Sequence, residues 1–190
     1  MATVGEIYDY IDTFAPFSQQ QSYDNSGICV GGRDMPVKKV LTALDITKAV
    51  ADEAERGGFQ LVISHHPVIF RPLKCLTAEQ PAVALANSGI AAVCAHTSFD
   101  SAQGGMNDLL AQKLGLKTLQ TLVYEEGKPI GYVCTAAFET SAAHLASQCK
   151  KRLGCKVVRY TETPASIAKI GICSGSGGGA LRLRRAVRLW

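Results

Sequence analysis

"LVISHHPVIF", residues 61–70, carries a short apolar run into Ser64, then into two adjacent histidines, His65 and His66, and a proline. A run this short, rich in β-branched residues and closed by polar groups and Pro67, predicts a buried strand over 60–64. The two imidazoles then sit just past its carboxyl end.

Outward from this strand the periods alternate. "KKVLTALD" (38–45) predicts a strand, 47–57 a helix closed by Gly57-Gly58, 79–88 a helix, "IAAVCAH" (90–96) a strand and 105–114 a helix. Residues 4–14 form a further helix with Ile7, Tyr10, Ile11 and Phe14 on one stripe, and Pro16 follows its end. "QSYDNSGICVGG" (21–32) is rich in turn formers and reads as a loop. Strands alternating with helices of this length imply an α/β fold of βαβ units, with a mostly parallel sheet covered on both faces.

A second unit begins near residue 120, with "EEGKP" (125–129) as a turn signal. "IGYVCTAAF" (130–138), "CKVVRYT" (155–161) and "IAKIGIC" (167–173) predict strands, and "SAAHLASQCKKRLG" (141–154) a helix with Ser141 as N-cap. "ICSGSGGG" (172–179) then looks like a strand entering a glycine-rich turn that should open a helix, yet only "ALRLRRAVRLW" follows. The expected division is therefore 1–119 and 120–190, with the second α/β domain incomplete.

Composition narrows the class. The chain has 190 residues, 47% hydrophobic and 19% charged, as a globular protein does. A net charge of +4, with the clearest basic cluster in the last residues and no interleaved aromatics, gives no strong nucleic-acid signal. No basic start followed by an apolar stretch, and no membrane-length apolar run, occurs; the expected location is cytoplasmic. The seven cysteines show no C-x-x-C pair and mostly sit in apolar runs, which reads as buried reduced thiols.

Chemistry collects at strand ends. Asp45 follows "VLTAL", His65 and His66 follow "LVIS", and His96 and Asp100 follow "AAVCA". Ligand sites in open α/β sheets form outside the carboxyl ends of strands, so three strands aim polar groups at one edge. Neighbouring side chains within a strand point to opposite faces, so His65 and His66 would not share one ion in regular strand geometry. At a strand end each can take its own ion, with a carboxylate such as Asp100 bridging and positions left for water. Imidazole with carboxylate suits zinc, iron or manganese, and the sequence does not choose among them. Gly104 and Gly105 precede a helix and read as a plain turn more readily than as an anion site; "CSGSGGG" lacks the Lys-Ser/Thr of a phosphate loop. Ser64 has no nucleophile-elbow context.

"YDNSGICVGG", "VLTALDIT", "LVISHHPVIFRPLK" and "AHTSFDSAQGGMNDLLAQKLGL" resemble, in order and spacing, the NIF-three-like proteins, the GTP cyclohydrolase I type 2 homologs. The resemblance runs from residue 4 to about 179, and its "SHHPVIF" and "HTSFD" blocks are the specific ones. It implies a two-domain α/β protein with two divalent ions per subunit in a cleft, assembled as a toroidal hexamer built from dimers. By the same resemblance His65, His66 and Asp100 are metal ligands, Asp100 bridging, while His96 and Asp45 lie near the cleft. The implied activity is metal-dependent hydrolysis of a small molecule, with nucleotides as candidates and His96 as the catalytic proton carrier. A non-catalytic metal-binding or regulatory module, or an inactive truncated product, is the alternative. The family pattern continues past the glycine turn to a His-x-x-x-Glu segment with further ligands. Here the arginine-rich tail does not resemble it and reads as a shifted frame.

Overall fold

The computed structural model describes residues 1–177, so the tail after the glycine turn lies outside the described residues. Contacts divide the chain into two units, Met1–Ala102 and one that starts at Gln103.

The first unit opens with β1 (Ala2–Thr3) and α1 (Val4–Phe14). Thr3 and Glu6 make a reciprocal capping box that satisfies the first amides of α1. After a 3-10 turn at Phe17–Gln19 come β2 (Gly27–Val30), β3 (Pro36–Val37), β4 (Val40–Ala43), α2 (Lys48–Arg56) and β5 (Leu61–Ser64). α3 (Pro81–Asn87), β6 (Ala91–Cys94) and the short α4 (Thr97–Ser101) complete it. The main sheet has the order β2-β6-β5-β4. β4, β5 and β6 are parallel, as the alternating periods predict, and β2 is antiparallel to β6. The predicted loop over 21–32 therefore contains a strand, held by its ladder to β6 and broken by an irregularity between Ile28 and Val30.

The two-residue period of β5 and β6 divides the core. Leu61, Ile63, Ala91 and Val93 face α1, packing with Val4 and Ile11. Val62 and Ala92 face the other way, against Ala51 and Ala54 of α2 and Leu85 of α3. Both faces of the sheet are thus covered, and the only direction left for polar groups is along the strands to their ends.

The second unit holds α5 (Met106–Lys113), β7 (Lys117–Glu125), β8 (Lys128–Thr140), α6 (Ala142–Leu153) and β9 (Ile167–Ile172). Its sheet, β7-β8-β9, is antiparallel throughout, which corrects the expectation of a mostly parallel sheet in this half. The turn signal in "EEGKP" is the hairpin between β7 and β8: Glu126 and Gly127 both have positive φ, 50° and 78°, as a type I′ turn requires. Ser141 caps α6 by accepting from the His144 amide. Ala111 of α5 packs with Cys134 and Ile170, so this helix belongs with the second sheet, and the break comes at 102 where the sequence suggested 119. The predicted strand at 155–161 is irregular. Val157 is 73% exposed there, and β-branched residues make a strand only where a ladder partner and a face to cover exist.

The Leu85 side chain is fully buried between α2, α3 and the sheet, whereas Leu44 is 61% exposed. Leu85→Ala is expected to lower unfolding stability in urea by about 2–5 kcal/mol through the cavity it leaves. Leu44→Ala should stay within about 0.5 kcal/mol of the parent.

Candidate metal centre

β5 ends at Ser64, but its hydrogen bonding continues. The His65 amide donates to the Ala43 carbonyl (3.3 Å) and the His66 amide to the Leu44 carbonyl (3.0 Å), so both histidines stay tied to the end of β4. Ser64, 3% exposed, donates its hydroxyl to the His66 carbonyl at 2.7 Å, which bends the chain before Pro67 and leaves the serine no nucleophilic role. Past this bend the strict alternation of a strand is lost. The His65 and His66 rings approach to 5.0 Å between centroids, tilted by 50°. His96, after β6, comes within 5.2 Å of His65 and 5.4 Å of His66. One donor atom from each of the three lies within 4.8 Å of the others, closer than strand alternation suggests for His65 and His66.

What each ring does with its Nδ1 decides what its Nε2 can do. His65 Nδ1 lies 3.0 Å from the Ala95 carbonyl, which can only accept, so Nδ1 carries the proton and Nε2 keeps its lone pair. His66 Nδ1 is 2.7 Å from Asp45 Oδ1, and His96 Nδ1 is 2.8 Å from Asp24 Oδ1. All three Nδ1 atoms therefore face oxygen acceptors, the arrangement that fixes imidazoles for binding a cation through Nε2. Asp100 Oδ1 stands 3.8 Å from His65 Nε2, on the ligating side of that ring.

The predicted residues thus meet at one place: His65, His66 and His96 as a cluster, Asp100 beside His65, and Asp45 behind His66. Asp45 and His66 are the open side, their side chains 58% and 45% exposed, while His65, His96 and Asp100 are below 20%.

Sequence reasoning missed Asp24, which it placed among turn formers. Its side chain is 0% exposed. Besides His96 it accepts from the Thr97 amide (3.0 Å), the Thr97 hydroxyl, the Ser26 hydroxyl (2.8 Å) and the Asn25 amide (2.7 Å). Burial alone would push this carboxyl up; the hydrogen bonds from His96, Thr97 and Ser26 overcome it and hold Asp24 well below the usual carboxylate range. The same bond to Asp24 raises His96 against its own burial. His65 moves the other way, lowered mainly by burial, with the Asp100 charge opposing. The sequence signal was available only as a pair of Asx and Ser/Thr turn formers, "DNS", with nothing to link them to His96.

Farther along the chain, at the start of α5, Gly104 donates its amide to Asp108 at 2.6 Å, so a side chain of the helix itself takes the position the anion reading offered.

Asp24→Asn is expected to destabilise metal-free protein by about 2–3 kcal/mol, the usual worth of charge-assisted bonds lost from a buried site. The pH course follows from the two shifts. Asp24, depressed from 3.8, stabilises fully above that value and loses its contribution as pH falls through its folded value. His96, raised from 6.5, contributes fully below 6.5 and loses it as pH rises through its folded value. The gap between parent and variant in urea unfolding should be widest between about pH 4 and 6.5 and narrow on either side.

The Duf34/NIF3 (NGG1p interacting factor 3) family model matches residues 2–187. A Clostridium perfringens protein named GTP cyclohydrolase 1 type 2 homolog is 32% identical over 182 residues, covering 92% of this chain and 70% of that one. NIF3-like protein 1 of Drosophila melanogaster is 32% identical over 183 residues, 90% of this chain and 63% of its own length. A crystal structure of a Staphylococcus aureus hypothetical protein superposes with a TM-score of 0.82 at 26% identity, over 93% of this chain and 73% of that one. The chain belongs to the Duf34/NIF3 family.

Proposed function

We propose that this chain is a divalent-metal-binding protein that hydrolyses a small molecule of the nucleotide class. The observation that carries the reading is the convergence of His65 and His66, each with Nδ1 held by an oxygen acceptor, beside Asp100, with the His96 ring completing the cluster. Neutral imidazoles with a nearby carboxylate are the donor set of zinc, iron and manganese, so the residues fit such an ion. His65 and His66 would hold it with Asp100, whose Oδ1 lies 3.8 Å from His65 Nε2, and a second ion shared through Asp100 is what the resemblance implies. A bound ion of this kind supplies Lewis acidity and makes water acidic enough to attack at neutral pH.

The chain's own residues do the rest. Ala95, Asp45 and Asp24 orient the three rings, and Asp24 keeps His96 inclined toward its protonated form, which suits a proton donor to a leaving group. The exposed faces of His66 and Asp45 leave an approach for substrate. The name carried by the Clostridium relative, GTP cyclohydrolase 1 type 2 homolog, supports opening of a purine ring as the reaction to try first. Self-association, up to the hexamer implied by resemblance, belongs to the same reading.

The full chain, stripped with chelator and titrated with Zn²⁺, Mn²⁺ and Fe²⁺ by calorimetry, tests it. Binding should weaken at least about tenfold in His65→Ala and His66→Ala, and about 10–100-fold in Asp45→Asn. If His96 is the proton donor, His96→Ala keeps metal affinity and loses turnover of GTP, followed by purine absorbance. Equal binding in the parent and in His65→Ala would overturn the metal reading. Tight binding without turnover of GTP or other nucleotides would overturn the hydrolase and leave the regulatory module.

A further inference from the structure

Two of the seven cysteines meet beside the histidine cluster, on strands that the sequence gives no reason to pair. Cys29 Sγ lies 3.7 Å from Cys94 Sγ, van der Waals contact for two sulfurs. Both sulfurs rest on one carbonyl, that of Asn25, at 3.5 Å from Cys29 and 3.1 Å from Cys94. They are not alike in exposure. Cys29 is half-buried in the irregular step between Ile28 and Val30, whereas Cys94 is 1% exposed at the end of β6.

We propose that Cys29 and Cys94 form a peroxide-sensitive dithiol, with Cys29 the residue attacked from solvent and Cys94 the residue that closes the disulfide. The surroundings fit these two roles. The Cys94 thiol beside it and the Ile69 and Val68 amides favour the Cys29 thiolate against the cost of its burial, and thiolate character with access is what makes a cysteine react. The sulfurs must close by about 1.7 Å to reach a disulfide length of ~2.05 Å. The bulged step at Cys29 is the part of the ladder with an unpaired residue, and so the part that can shift.

The oxidant is a hydroperoxide. The Cys29 thiolate attacks one peroxide oxygen, the O–O bond breaks, and the other oxygen leaves with a proton as water or alcohol, giving the sulfenic acid. Cys94 sulfur then attacks Cys29 sulfur, the S–O bond breaks, and hydroxide leaves with the Cys94 proton as water. Two thiols lose two electrons in all, and the peroxide takes them.

The bridge would join the strand that leads into His96 to the strand that follows Asp24, two residues from the former and five from the latter along the chain. Oxidation therefore reaches the segment that positions His96 without touching the imidazole itself.

The test uses the full chain, reduced, freed of reductant and exposed to a few equivalents of hydrogen peroxide, followed by alkylation, intact mass and peptide mapping. The expected result is a loss of about 2 Da and a single new cross-linked species joining the Cys29 and Cys94 peptides, reversed by dithiothreitol and absent from Cys29→Ser. Cys29 is half-buried, so this variant is expected to fold, and the parent's own peptide map decides the case if it does not. Cys29 carried on to sulfinic acid with Cys94 still free after denaturation and alkylation would overturn the proposal. So would an unmodified Cys29 under conditions that oxidise the exposed Cys75.

Discussion

A carboxylate taken fully out of water is tolerated only where its lone pairs are matched, and Asp24 meets that demand with donors from two distant parts of the chain. Ser26 and the Asn25 amide come from its own turn; His96 and Thr97 come from the end of β6. Removing any one leaves the charge short of partners in a place solvent does not reach. The loop before β2, the edge pairing of β2 on β6 and the orientation of His96 are consequently one arrangement. His96 also receives a bond at its amide from Ser26, at 3.0 Å, so ring and backbone are both fixed by the same turn.

The helices and the three parallel strands were readable because their signals are local. Thr3, Thr47 and Ser141 all cap the helices that follow them, and apolar periodicity marks β5 and β6 plainly. Strand ends could be named as the candidate site for the same reason: with both faces of the sheet covered, Asp45, His65, His66, His96 and Asp100 gather at one edge. Asp24 was not readable, since its bond to His96 spans 72 positions and no spacing rule connects a turn aspartate to a histidine that far away. The direction of strands in the second unit was also hidden. Antiparallel and parallel strands draw on the same residues, and only the Glu126-Gly127 turn, short enough to force a hairpin, separates the two.

Regular strand alternation does not extend to His65 and His66, which lie past the end of β5. Alternation holds only while the backbone stays extended, and Ser64 ends that condition by bonding to the His66 carbonyl two residues on. One hydroxyl converts two oppositely directed side chains into neighbours. Among the described residues no helix is long and apolar enough to cross a membrane.

The three imidazoles are secured by different kinds of atom, and this sets how each would weather mutation. His65 is held through carbonyls of Ala43 and Ala95, atoms that every amino acid supplies, so exchanges at those positions that keep the backbone in place leave its tether intact. His66 rests partly on main chain and partly on the exposed Asp45. His96 depends on Asp24, whose chemistry few residues can replace. Random substitution would therefore erode the cluster from the His96 side first, leaving the adjacent pair as its most durable remnant.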